Sequence, residues 1–134
     1  MKKDIPFYPV QNVMLAITRE QTAPQVVEWR VYILNKNDKK IENVLVSSKG
    51  YGENGGVKQK TSTLRHFLGD LDPEDHRVIE PIDLKLFHLF NEFWVSYYID
   101  GQVYDKKFVF VPGSISENNL ITIKQLNLEG VLHT

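Results

Sequence analysis

Residues 50 to 57, Gly50-Tyr51-Gly52-Glu53-Asn54-Gly55-Gly56-Val57, reproduce the Gly-x-Gly-x-x-Gly spacing of loops that bring backbone N–H groups up to a phosphate. Gly50, Gly52 and Gly55, with Lys58 beside them, are therefore candidate anion-binding residues, and Lys49 and Lys60 add positive charge nearby. The context argues against a nucleotide site. A dinucleotide loop opens a helix, and Val57-Lys58-Gln59-Lys60-Thr61-Ser62-Thr63 is too β-branched and polar to form one. A kinase is excluded by length and by the lack of His-Arg-Asp and Asp-Phe-Gly tripeptides. The stretch from Lys49 to Lys60 reads as a long flexible loop.

A second cluster, Asp70-Leu71-Asp72-Pro73-Glu74-Asp75-His76, has oxygen donors at spacings suited to a hard cation. A calcium loop needs glycine at its sixth position and glutamate at its twelfth, where this chain has Asp75 and Pro81. It reads as a solvated acidic turn, and no metal or other cofactor is expected. The four histidines, His66, His76, His88 and His133, share no metal-ligand spacing. There is no Gly-x-Ser-x-Gly elbow, so a nucleophilic triad would have to assemble from distant residues, for instance His66 with Asp70 and Ser62. No catalytic residue is assigned.

Composition narrows the classes further. Sixteen basic and seventeen acidic side chains leave a formal net charge of -1, so no global field draws the chain to nucleic acid or anionic lipid. Without cysteine there are no disulfides, thiolate metal sites or thiol nucleophiles, which agrees with a reducing compartment. Asp4, Pro6 and Pro9 interrupt the N-terminal stretch, so no signal sequence is expected, and no apolar run is long enough for a spanning helix. The expectation is a cytoplasmic protein that contacts neither membrane nor nucleic acid. At 134 residues the chain fits one domain, 1–134, large enough to bury a core unaided.

The elements that must position these groups are strands. Phe93 to Val111 holds two β-prone runs around Asp100-Gly101, a pair suited to the positive φ angles of a type I′ turn. Counting outward sets Tyr97 opposite Tyr104 and Phe93 opposite Phe108. One face then carries Phe93, Val95, Tyr97, Ile99, Tyr104, Phe108 and Phe110, and the other Trp94, Ser96, Tyr98, Val103, Asp105, Lys107 and Val109. Asn12 to Thr18, Val27 to Leu34 and Asn43 to Ser48 alternate as strands, with Gln21 to Pro24 a connection and Trp29 a core anchor. Strand character returns over Thr61 to Leu68 and Arg77 to Leu86. Pro81 and Asp83 favour one helical turn within residues 83–91, and Leu120 to Leu128 reads as a last strand.

Seven to eight strands with frequent turn signals and at most one helical turn specify an all-β, antiparallel two-sheet sandwich. The connection at the acidic turn should cross between its sheets. Trp29, Val31, Ile33, Val95, Tyr97 and Phe108 should share its core. Trp29-Arg30-Val31-Tyr32-Ile33-Leu34-Asn35, Ser48-Lys49-Gly50-Tyr51-Gly52 and Phe93-Trp94-Val95-Ser96-Tyr97-Tyr98 together resemble small uncharacterised bacterial proteins with an immunoglobulin-like β-sandwich. The resemblance implies that fold and no activity.

Two functional expectations follow. The first is a non-enzymatic interaction module that binds a protein partner or itself as a homodimer, through Trp94, Tyr98, Val103 and Val109 on the wetter hairpin face. The bland counterpart is that residues 83–91 or Phe7-Tyr8-Pro9 fold over that face and complete the core. The second is a small ligand-binding protein or enzyme using the glycine-rich segment 49–60 and the acidic turn 70–76.

Overall fold

The computed structural model describes residues 8 to 134, with side chains from residue 10 onward. It is an all-β sandwich. In chain order the strands are β1 (Tyr8–Pro9), β2 (Val13–Ala23), β3 (Val26–Asn35), β4 (Ile41–Asn54), β5 (Val57–Lys60), β6 (Leu64–Leu71), β7 (His76–Pro81), β8 (Phe90–Ile99), β9 (Gln102–Phe110), β10 (Ile121–Ile123) and β11 (Leu128–His133). One sheet runs β1-β9-β8-β4, with β5 and β6 both on the far edge of β4; the other runs β10-β11-β2-β3-β7. All pairings are antiparallel except the short β1–β9 contact.

Local chemistry explains the turns. Asp100 and Gly101 have φ of 50° and 77°, and the β8–β9 register pairs Phe93 with Phe108 and Tyr97 with Tyr104, as counting from the turn requires. Pro24-Gln25 closes β2 on β3 with Gln25 at φ 63°, so the connection is two residues long and β2 extends to Ala23. The segment from Lys49 to Lys60 is no long loop. β4 runs through it, Gly55 and Gly56 turn at φ 60° and 81°, and β5 pairs back from Asn54–Val57 to Tyr51–Lys60. Glycine abundance masked a Gly-Gly hairpin signal. The last strand is likewise two: Lys124 to Asn127 form a turn with Asn127 at φ 54°, splitting β10 from β11. These short hairpins raise the strand count above the seven or eight read from sequence.

Asp72 to Asp75 carry the chain from β6 in one sheet to β7 in the other, the expected crossover. It is fastened by Asn35, which is fully buried. The Asn35 Nδ2 donates to the carbonyls of Lys39, Leu71 and Asp72 at 3.0 to 3.1 Å. Leu84–Leu86 form the 3-10 turn expected before β8, with the Asp83 carboxylate accepting from the Lys85 N–H at 2.9 Å, and a second 3-10 turn at Glu117–Asn119 exceeds the one helical turn read from sequence.

Between the sheets lie Val13, Leu15 and Ile17 of β2, Trp29, Val31 and Ile33 of β3, Val44 and Val46 of β4, and Phe93, Val95, Tyr97 and Phe108 of the β8–β9 hairpin. All six expected core residues are among them. Phe87, just after the 3-10 turn, meets Trp29 edge-on at 5.0 Å and closes one end. A second, smaller cluster of Ala16, Tyr32, Leu34 and Ile123, backed by Leu126, Leu128 and Leu132, covers the outer face of the five-stranded sheet.

Candidate functional site

Period-2 alternation along β8 turns Phe93, Val95 and Tyr97 inward and sets Phe90, Glu92, Trp94, Ser96 and Tyr98 on the outside. Cross-strand pairing then fixes their neighbours. Tyr51 lies beside Phe90, Lys49 and Val109 beside Glu92, Ser47 and Lys107 beside Trp94, Leu45 and Asp105 beside Ser96, and Val103 beside Tyr98. β6 continues two of these rows, with Arg65 next to Ser47 and Phe67 next to Leu45.

This face is rich in large apolar groups that remain in solvent. Phe67 is 68%, Trp94 45%, Leu45 43% and Tyr98 40% exposed. Between Trp94 and Tyr98 the small side chains of Ser47 and Ser96 leave a groove of about 330 Å³, flanked by Leu45 and Val103, with Arg65 and Asp105 also lining it. Trp94 is held by its indole N–H, which donates to Asp105, while the Lys107 ammonium lies 5.6 Å from its ring. Glu92 is largely covered, between the Lys49 and Lys107 ammonium groups at 3.7 and 3.9 Å. Above it Tyr51 and Phe90 stack at 5.4 Å, and burial followed by the Glu92 charge raises the Tyr51 phenol pKa. Arg65 has no ion pair or hydrogen bond among the described residues.

Trp94, Tyr98, Val103 and Val109 thus share one surface, with Trp94 and Tyr98 exposed and Val103 and Val109 half-buried. Leu45, Phe67 and Arg65 join them. Sequence reasoning missed these because their rows depend on how β4 and β6 register with the hairpin, and a bulge at Asn43, φ 52°, shifts that register. Residues 83–91 do not fold over the face; their 3-10 turn leads into β8. Tyr8–Pro9 extend the sheet edge beside β9, and Phe7 lies outside the described residues.

The other sequence candidates are dispersed. Gly52 and Gly55 lie in the β4–β5 hairpin with Lys58, and the Gly50 N–H is taken by the Thr61 hydroxyl at 2.8 Å. In the acidic turn, Asp70 accepts from the Asn43 N–H at 3.0 Å, Glu74 pairs with Lys36 at 3.2 Å and Asp75 accepts from the His76 N–H at 2.8 Å. Among the described residues no three His, Asp or Glu side chains gather as metal ligands. His88 bonds Gln59 at 2.6 Å, and His133 packs edge-on against Phe108 and Phe110.

The combination of His66 with Asp70 and Ser62 does not assemble. His66 Nε2 instead lies 2.7 Å from Glu80 Oε1, the same oxygen that accepts from Ser48 Oγ at 2.7 Å. This cluster joins the two sheets at the open edge formed by β6 and β7, where a cleft of about 220 Å³ is lined in part by Ser48, Gly50, Thr61, Glu80 and Asn91. It is not a nucleophilic triad. A triad places the imidazole between hydroxyl and carboxylate, whereas here the carboxylate lies between the other two. Ser48, Glu80 and Asn91 were invisible as a group because they sit on three strands far apart in sequence.

Comparison with protein-family models, with curated proteins and with solved structures returns no match for this chain.

Proposed function

We propose that this chain is a one-domain, non-enzymatic interaction module, a cytoplasmic sandwich of the immunoglobulin-like kind that docks a protein, a second copy included, through the outer face of its six-stranded sheet. The observation that carries this reading is the exposure of Phe67, Leu45, Trp94 and Tyr98 side by side on one sheet face. Scattered exposed apolar residues are ordinary, but a contiguous patch of this kind is the usual mark of an interface. Trp and Tyr are also the residues most enriched at binding hot spots. The mixed charges around the aromatics, Asp105 and Glu92 against Lys107 and Arg65, support a protein surface over a phosphate-tracking groove. Among the described residues no helix is long and apolar enough to cross a membrane.

Sedimentation of wild type and Tyr98→Glu over a wide concentration range tests the self-association arm. Wild type is expected to associate with rising concentration, and the variant to stay monomeric with an unchanged melting temperature. Folded monomers in both samples at high concentration would remove the homodimer and leave a foreign protein as the only partner of this face.

A further inference from the structure

We propose that the cleft at the β6–β7 edge of the sandwich binds a small primary ammonium compound, with Glu80 and Asn91 receiving the charged end. The argument is independent of the sheet face and rests on which hydrogen-bonding capacity the cleft has left. Most of its donors are spent, the Ser62 hydroxyl excepted. Ser48 Oγ donates to Glu80 Oε1, Thr61 Oγ1 to the Ser62 carbonyl at 2.8 Å, and the Gly50 N–H to Thr61 Oγ1. The Asn91 amide donates to the carbonyls of Leu86 and Leu89 at 2.8 and 3.2 Å.

The acceptors are not spent. Among the described residues nothing donates to Asn91 Oδ1, although Asn91 is only 4% exposed. That oxygen stands 3.5 Å from where a Cβ on Gly50 would be, turned toward the strand that lines the cleft. Glu80 uses Oε1 for both Ser48 and His66, and its Oε2 has no partner among the described residues. Neither oxygen is sealed from solvent, so both stand open to a donor that enters the cleft. An ammonium group, three donors and no acceptor, complements such an acceptor set. Lys49 borders the cleft, but its own ammonium group is engaged with Glu92 on the outer face.

The remaining lining selects an organic cation over a metal ion. Leu64, Leu86 and Phe93 form apolar walls, which favour a short alkyl chain. A calcium ion needs about six to eight oxygen ligands, commonly several of them carboxylates, and Glu80 is the only carboxylate lining the cleft. At about 30 Å³ for each water-sized group, the cleft takes about seven heavy atoms, enough for an ammonium carrying a short chain.

The test titrates n-butylammonium chloride into the ¹⁵N-labelled full chain, with n-butanol, sodium butyrate and sodium chloride as parallel arms. Saturable shifts of the Gly50 amide and the Asn91 side-chain amide are expected with butylammonium. The response should be at least tenfold weaker with butanol and absent with butyrate and salt. Glu80→Gln, which keeps an acceptor for Ser48 and His66, should weaken binding at least tenfold. Should that variant not fold, nuclear Overhauser contacts between the probe's chain and the Leu64 and Leu86 methyls of wild type take its place. Equal binding of butanol or butyrate, an unaltered affinity in folded Glu80→Gln, shifts or contacts confined to other parts of the protein, or no saturable response overturns the proposal.

Discussion

The two sheets of this sandwich both carry apolar side chains on their outer faces, yet the described residues cover only one of them. On the five-stranded sheet, Ala16, Tyr32 and Leu34 are buried beneath Ile123, Leu126 and Leu128 of the C-terminal hairpin. The turn between β10 and β11 is tied down by Gln125, whose amide donates to the carbonyls of Glu74 and Asp75 at 3.0 Å. Further along that face polar groups take over. The Glu20 carboxylate accepts from Thr18 and Tyr32 at 2.8 and 3.0 Å and pairs with Arg30 at 3.6 Å. On the six-stranded sheet no described segment plays the part of the hairpin, and Leu45, Phe67, Trp94 and Tyr98 stay in solvent. Ala16, Tyr32 and Leu34 on the first sheet are accounted for by the fold, although Val78 beside Tyr32 stays exposed. The four on the second are the residues that the proposed docking would cover.

The largest expected effects come from making similar cuts on the two faces. Leu34→Ala removes a side chain that is 2% exposed beneath the hairpin and should cost about 3 kcal/mol of folding stability. Trp94→Ala removes a larger side chain from the other face, where it is 45% exposed, and should cost less than about 1 kcal/mol in the monomer. Urea unfolding of both variants at low protein concentration checks the pair. Comparable losses would mean that Trp94 is already part of a core, and the contrast between the faces would collapse.

Much of one half of this contrast was legible in the sequence. The Asp100-Gly101 turn fixes the hairpin register, and that register alone separates Tyr97 from Tyr98 and Phe93 from Trp94. The covering hairpin was not legible. Leu120 to Leu128 alternates as one continuous strand, and only Asn127 at φ 54° marks where the chain turns back. Asn35 was equally hidden. It sits in a polar run that reads as a surface turn, but burial makes it the fastening of the sheet-to-sheet crossover. The sandwich-edge cleft depends on side chains from β4, β7 and β8 meeting at one place, and no local pattern records such a meeting.

A smaller loss should follow from loosening the covering hairpin itself. Gly130 on β11 is buried, and a Cβ there would stand 2.8 Å from both the Ile123 side chain and the Ile17 carbonyl oxygen. The backbone oxygen cannot swing away as a side chain can. Gly130→Ala should therefore cost about 2 kcal/mol through overpacking. The bare face should be untouched. A lowered melting temperature with unchanged ¹⁵N chemical shifts for Trp94 and Tyr98 is the expected result. Shifts spreading to those residues would show that the two outer faces are coupled through the core.

The smallest effect, of opposite sign, separates the adjacent tyrosines of β8. Tyr97 is 1% exposed and stacks on Tyr104 at 5.4 Å, and its hydroxyl is buried without a hydrogen bond of normal geometry. Burial raises its pKa well above the ordinary phenol value, opposed only in part by the nearby Gln11 backbone. Removing an unsatisfied hydroxyl relieves a desolvation cost, so Tyr97→Phe should be neutral or stabilising by up to about 1 kcal/mol, whereas Tyr98→Phe should leave stability unchanged. The pH dependence has a definite sign. The folded state holds the Tyr97 proton more tightly than the unfolded chain, so its contribution is complete below about pH 10 and declines as pH rises above it. Wild type should therefore lose stability between pH 10 and 11 faster than Tyr97→Phe does, in unfolding curves at matched ionic strength. Parallel losses in the two proteins would place the Tyr97 hydroxyl in contact with water, and the inward half of the hairpin would no longer be the dry face against which Trp94 and Tyr98 are contrasted.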